Sequence, residues 1–273
     1  MRILMTTGGS IHSDAALRFG LEILQPAMDA PTLLTVVKRP EDRPRGQAIL
    51  EEAVRSFADP RPSVNLKVRV GNPAEEIVAE AAQGNYELVI VGERESHGLV
   101  TRVLGSTAVY VVEHAPCSVI IAKGKIGPVQ RILLCDSGAL LPDVLTRFTV
   151  RVAERISGEE TVTVLHVMSQ ITAASGVNDD QLRADAGQLI EVHAPEGEFL
   201  ERDLTALAAP QIQSKAKVRH GTVIDEILEE AQEGDYDLVV VGAHRDAGWQ
   251  RWLLEDITRK VITLVDRPVL VVR

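Results

Sequence analysis

Aromatic residues are scarce in this 273-residue chain: four Phe, three Tyr and two Trp, 3% of the total. So few rings leave little for stacking bases. With 29 Lys and Arg against 39 Asp and Glu the net charge is -10, and a nucleic-acid-binding surface is disfavoured. Cysteine is nearly absent. Cys117 and Cys135, the only two, exclude a disulfide framework as a design principle, and reduced buried thiols are the expectation. No apolar run approaches the roughly 18 residues of a membrane span, and the opening residues 1–9 lack the charged region, apolar stretch and cleavage site of a secretory signal. The expectation is a soluble, cytoplasmic protein without a membrane partner. What the chain does have is average globular usage, 45% apolar and 25% charged, enough to bury a core. Its length fits one large domain or two ordinary ones, at roughly 100–200 residues each.

Internal similarity decides for two. The stretch Val68-Arg69-Val70-Gly71-Asn72-Pro73-Ala74-Glu75-Glu76-Ile77 returns as Val218-Arg219-His220-Gly221-Thr222-Val223-Ile224-Asp225-Glu226-Ile227, an offset of 150 residues. The same offset relates residues 85–92 to 235–242 and residues 118–121 to 268–271. Arg2-Ile3-Leu4-Met5 corresponds to Arg131-Ile132-Leu133-Leu134 at an offset of 129, so the second copy holds 21 extra residues, expected mostly within 169–216. Two glycines and a proline at 124–128 interrupt the apolar runs on either side, giving domains at 1–125 and 126–273. Their net charges, -1 and -9, imply divergence in task.

Within the first copy, residues 3–5, 33–37, 64–70, 88–91 and 119–121 read as strands, several wholly apolar, as strands covered on both faces must be. Residues 15–24, 45–57, 74–83 and 107–113 carry apolar positions at helical spacing. The alternation predicts an α/β fold of two tandem, doubly wound parallel-sheet domains of Rossmann-like type. The second copy adds an Asp- and Glu-rich excursion over 178–201, whose default reading is a solvated helix face with a connecting loop.

These residues resemble the universal stress protein family, present twice in tandem and covering nearly the whole chain. The resemblance is carried by Val91-Gly92, by Gly105-Ser106-Thr107, and by His114-Ala115-Pro116-Cys117-Ser118-Val119-Ile120-Ile121, similar to the family's phosphate loop, helix and closing strand. Nucleotide-binding members have a Gly-x2-Gly-x9-Gly-Ser/Thr loop after the fourth strand and an Asp ending the first. The resemblance therefore implies an adenine-nucleotide site, for ATP, in the first copy at Gly92, Gly105, Ser106 and Thr107, with Val36 placed for a backbone contact to adenine. Glycines admit phosphates to the backbone, and a helix N-terminus donates to them. Two departures weaken that site. Glu95 stands at the second glycine, and Gly8 where the Asp belongs. A carboxylate ~5 Å from a phosphate charge is unfavourable by about 3 kcal/mol at an effective dielectric of 20, against the ~0.3–1 kcal/mol a helix N-terminus contributes. Arg94 or His97 would offset the charge if Glu95 turned inward. In the second copy Arg245 fills the glycine position and Glu255-Asp256 replace Gly-Ser, as in a site converted to structural use. There Ser137 ends the first strand, and alternation turns Asp136 to the opposite side.

Other chemistry is thinner. His114 and Cys117 lack a partner pair for a metal site, His166 reads as a satisfied core histidine, and Trp249 with Trp252 reads as a packing face. No catalytic residue is assigned. Two readings stand: a non-catalytic stress-response or regulatory scaffold with a protein partner, its nucleotide binding weak or lost, and an ATP-binding sensor using the first copy. The closing segments 119–122 and 269–272 are apolar edges that would otherwise lie open. They are expected to pair antiparallel, making the chain an intramolecular pseudo-dimer, with further homodimerisation possible.

Overall fold

Five short strands alternate with helices through the first half of the chain: β1 (Ile3–Thr6), α1 (Ile11–Glu22), β2 (Thr32–Val37), α2 (Arg43–Arg55), β3 (Asn65–Val70), α3 (Pro73–Gln83), β4 (Leu88–Gly92), α4 (Ser106–His114) and β5 (Ser118–Ala122). The second half runs β6 (Arg131–Cys135), α5 (Pro142–Ala153), β7 (Glu160–Met168), α6 (Ala186–Glu191), α7 (Pro195–Ala206), β8 (Ile212–His220), α8 (Val223–Glu233), β9 (Leu238–Gly242), α9 (Asp256–Leu264) and β10 (Val269–Val272). The computed structural model describes residues 1–23, 30–57, 63–93, 105–136, 142–156, 158–168, 184–243 and 256–273.

Local chemistry sets the helix starts. At α3, Asn72 accepts from the Ala74 N–H at 3.0 Å, Pro73 opens the helix, and Glu75 and Glu76 occupy its first turn, all favourable where N–H groups lack partners. At α6, Asp185 and Gln188 accept each other's backbone N–H at 2.9 Å, a capping box.

The ten strands among the described residues form one sheet in the order β3-β2-β1-β4-β5-β10-β9-β6-β7-β8. Every pairing is parallel except that of β5 with β10. Period-two alternation sorts side chains into two cores that both cross from one half to the other. On one face Met5, Ile90, Ile120, Leu270, Val240 and Leu134 pack under α1, α2, α5 and α7. On the other, Leu4, Val89, Val119, Val271, Val239 and Leu133 pack with Val111, Ile227 and Val261 of α4, α8 and α9.

The antiparallel seam sets Val269 opposite Ile121, Leu270 opposite Ile120 and Val271 opposite Val119, all without exposed surface. This is the edge pairing expected from the apolar closing strands. Polar contacts are exchanged across it. Lys123, just past β5, is buried and donates to the Ile262 carbonyl near the end of α9. Arg273, 150 residues on and just past β10, donates to the Val112 and Ala115 carbonyls at the end of α4, the latter at 2.8 Å. Each copy thus supplies a cation to orphan carbonyls of the other's last helix, where the helix dipole favours positive charge. Arg259 pairs with Glu113 and Arg151 with Glu87 across the same junction.

The extra residues of the second copy precede β8. Of the stretch between β7 and β8, 169–183 lie outside the described residues, α6 belongs to the added residues, and α7 stands where the first copy has α2. Helix α7 is more than a solvated face. Glu198 and Glu201 are exposed, but Gly197, Leu200 and Asp203 are buried, and Leu200 with Leu207, just past the helix, enters the core that Leu50 of α2 and Phe57 just past it occupy 150 residues earlier. A Cβ on Gly197 would lie 2.1 Å from the Leu189 carbonyl oxygen, so only glycine lets α7 approach α6 this closely.

Candidate functional site

Chain order reverses between β1 and β4: the chain moves from β1 to β2 on one side, and β4 joins on the other. Sheets of this kind bind ligands outside the carboxyl ends of the strands at that point. Thr6 ties the two strands there, its hydroxyl donating to the Ile90 carbonyl at 3.1 Å. Gly92 ends β4 and pairs with Ala122. Gly105, in extended conformation, precedes α4, whose first turn begins with exposed Ser106 and half-buried Thr107. Among the described residues no side chain caps this helix start, and no acidic residue lies in its first turn, so its N–H groups and dipole suit an anion. Val36 is half-buried two residues beyond Leu34, the residue level with Thr6, and packs on the α4 face of the sheet. Four of the five sequence-derived residues are thus placed at the ends of β4 and α4, and the fifth on β2.

The polar anchor is missing. Gly8, two residues past β1, is exposed, and a Cβ there would meet nothing among the described residues within 4 Å, so the position has room for a side chain it does not carry. Thr7 turns back on its own chain and accepts from the Gly9 N–H at 3.2 Å. Glu95, Arg94 and His97 lie outside the described residues, as do Arg245, Glu255, Ser137, Trp249 and Trp252.

In the second copy the reversal falls between β6 and β9. Gly242 ends β9, and Asp256 opens α9. Asp136, just past β6, is buried beneath α7, on the opposite side from α9, as alternation predicts.

His114 stacks on Tyr110 at 4.0 Å, and its Nδ1 lies 2.9 Å from the Tyr110 carbonyl, so packing and a local hydrogen bond account for it. Cys117 is buried and its thiol is pushed up to about 12, chiefly by desolvation. Cys135 is half-buried rather than buried, and desolvation raises its thiol too. Among the described residues no group of three His, Cys, Asp or Glu side chains is arranged to hold a metal ion, and no helix is long and apolar enough to cross a membrane. His166 sits edge-on to Phe199 at 4.7 Å, with Nδ1 3.3 Å from the Asp136 carbonyl.

Sequence reading missed a second polar group on the α7 face. Asp203 of α7 is buried and accepts from the Thr146 hydroxyl at 3.2 Å, and burial, followed by the neighbouring Asp136, pushes its carboxyl up to about 8. Setting the two copies against each other position by position would have found it, since Ala53 and Thr7 stand where the second copy has Asp203 and Asp136.

A doubly wound parallel sheet with a helix starting at the strand reversal defines a Rossmann-like α/β protein, here built from two copies. The chain belongs to the universal stress protein family, whose model matches residues 1–123 and again 128–273. It is 30% identical over 83 residues to universal stress protein Sll1388 of Synechocystis, and spans about half of that relative, 54% of its length, with 30% of its own. The fold resembles a universal stress protein of Archaeoglobus fulgidus, with a TM-score of 0.70 at 18% identity over 100% of this chain and 98% of that one. It also resembles the functionally unknown protein PA1789 of Pseudomonas aeruginosa, with a TM-score of 0.66 at 16% identity over 99% and 92% of the two chains.

Proposed function

We propose that this chain is a non-catalytic stress-response or regulatory protein, with domains at 1–125 and 126–273 that act together as an intramolecular pseudo-dimer and bind nucleotide weakly or not at all. The observation that carries this reading is the seam, where β5 and β10 pair and Lys123 and Arg273 exchange helix ends. A surface made of two fused copies suits a protein partner held by both. Gly8 supports the loss of nucleotide binding, because the position that anchors the nucleoside in the resembled family is bare.

A second reading, an ATP sensor using the first copy, is favoured by the uncapped start of α4 with Gly92, Gly105, Ser106 and Thr107 around it and Val36 on the neighbouring strand. Calorimetric titration of ATP into the full chain separates the two. The scaffold reading expects little or no heat from the natural sequence and measurable binding once Gly8→Asp and Glu95→Gly are introduced together. Micromolar affinity in the natural sequence would establish the sensor instead.

A further inference from the structure

A cavity of about 180 Å³ lies between the sheet and the end of α8, toward the amino ends of β6, β7 and β8. That is the opposite end of the strands from the carboxyl edge, where sheets of this kind hold nucleotides. The cavity is also too small for one: it has room for about six waters at roughly 30 Å³ each, whereas drug-sized ligands occupy pockets of roughly 300–1,000 Å³. Aligning the copies, by 129 residues through β7 and by 150 from β8 onward, shows how its lining diverged. Arg131, Thr161, Lys217, Glu230, Gly234 and Tyr236 repeat Arg2, Thr32, Lys67, Glu80, Gly84 and Tyr86, but Thr163, Lys215 and Glu233 stand where the first copy has Leu34, Asn65 and Gln83.

Leu34 is buried in its own copy, so the sheet accepts an apolar residue there and does not need the Thr163 hydroxyl. Thr163 is itself fully buried, and its oxygen reaches no hydrogen-bond partner, although the Tyr236 hydroxyl, which donates to Glu230 at 2.9 Å, stands nearby. The two lining carboxylates are already matched. Glu230 takes Lys217 at 2.5 Å and Arg219 at 2.8 Å, and Glu233 takes Arg219 at 2.8 Å. Other lining donors are unspent. Arg131 gives only Nη2 to Asp235, at 2.5 Å, and among the described residues neither the Lys215 ammonium nor the hydroxyl of half-buried Thr161 makes a hydrogen bond or ion pair. In the sheet Arg131 pairs with Thr161 and Thr163 with Lys215, and with Thr161 and Thr163 two residues apart, all four side chains leave on the α8 face.

We propose that this cavity binds a small oxyanion of the phosphate class, held by Lys215, Arg131 and the Thr161 hydroxyl over a floor made by Thr163. Ammonium and guanidinium groups make charge-assisted hydrogen bonds to oxyanions, stronger than neutral ones, and a hydroxyl adds a donor free to rotate toward the ligand. Three lining cations against two lining acids leave a local positive excess in a copy whose net charge is -9. The site is a property of the second copy alone. Asn65 and Leu34 withdraw the ammonium and the buried hydroxyl from the equivalent place in the first.

Calorimetric titration of inorganic phosphate into the full chain, against chloride at matched ionic strength, tests the site. Saturable binding is expected. Lys215→Asn, which installs the first-copy residue at an exposed position, should weaken it about tenfold, the contribution of one charge-assisted hydrogen bond. Thr161→Val keeps the shape, removes the hydroxyl and should weaken it too, with circular dichroism confirming that both variants fold. Lys260→Gln, on the exposed side of α9, should leave the affinity unchanged and so separates the site from general surface charge. Absence of saturable binding, equal weakening by Lys260→Gln, or binding that is lost with Ser106→Ala and kept with Lys215→Asn would each overturn the proposal.

Discussion

Replacing Leu270 with Lys puts an ammonium into the middle of the seam. Leu270 has no exposed surface and lies opposite Ile120, itself fully buried. Loss of leucine burial costs about 1.5–3 kcal/mol. An unpaired buried ammonium costs several kcal/mol more, whether it remains charged or surrenders its proton. The total, about 5 kcal/mol or above, approaches the ~5–15 kcal/mol that holds a typical domain folded. Urea unfolding followed by circular dichroism, with size-exclusion chromatography alongside, should show a large loss of stability or aggregation. Ile120→Glu alone should be comparably damaging. The double variant Leu270→Lys/Ile120→Glu is the sharper test, because opposed residues in an antiparallel pair have Cβ atoms about 5 Å apart, and opposite charges at that distance attract by about 3 kcal/mol at an effective dielectric of 20. The double variant should therefore be clearly more stable than the sum of the singles. A Leu270→Lys protein within about 1 kcal/mol of the natural one, or a strictly additive pair, would refute the seam as the structural centre of the molecule.

Two further expectations concern charge. Arg273→Ala removes two charge-assisted hydrogen bonds to the last carbonyls of α4 and should cost about 2–4 kcal/mol in urea unfolding, with Arg273→Lys restoring only part because it lacks the planar fork. For Glu230, burial acts to raise the carboxyl, but hydrogen bonds from Lys217, Arg219 and Tyr236 outweigh it and hold the group below its ordinary value. A depressed acid stabilises the fold above its unfolded value and loses that contribution as pH falls through the folded one. Glu230→Gln should therefore lower stability near pH 7 by about 1–3 kcal/mol and make stability fall less steeply below about pH 4.5, read from urea midpoints across pH 3–7.

Much of the architecture is legible along the chain because it follows from local periodicity. Strands expected at 64–70 and 119–121 form at Asn65–Val70 and Ser118–Ala122, and the helix expected at 107–113 forms at Ser106–His114. Helix starts were harder: the segment expected from 15 begins at Ile11 and the one from 45 at Arg43. First turns are set by caps, and their exposed residues contribute little to an apolar repeat. The acidic stretch before β8 misled for a related reason. Its charge density announced the solvated side of α7, while Leu200 and Asp203 on the buried side are too few to mark a core helix.

The duplication, the alternation of strand and helix, the two apolar closing strands that must find cover, and the family to which both halves belong are all written along the chain. These are properties of residues near one another in the chain, where spacing converts directly into which face is buried. Tertiary packing alone brings Lys123 and Arg273 onto each other's helices, and Thr146 of α5 against Asp203 of α7. Such contacts join residues 57 to 161 positions apart. They depend on how strands are ordered across the sheet and how closely helices lie on it, and those distances are fixed by packing rather than by any repeat that a sequence displays.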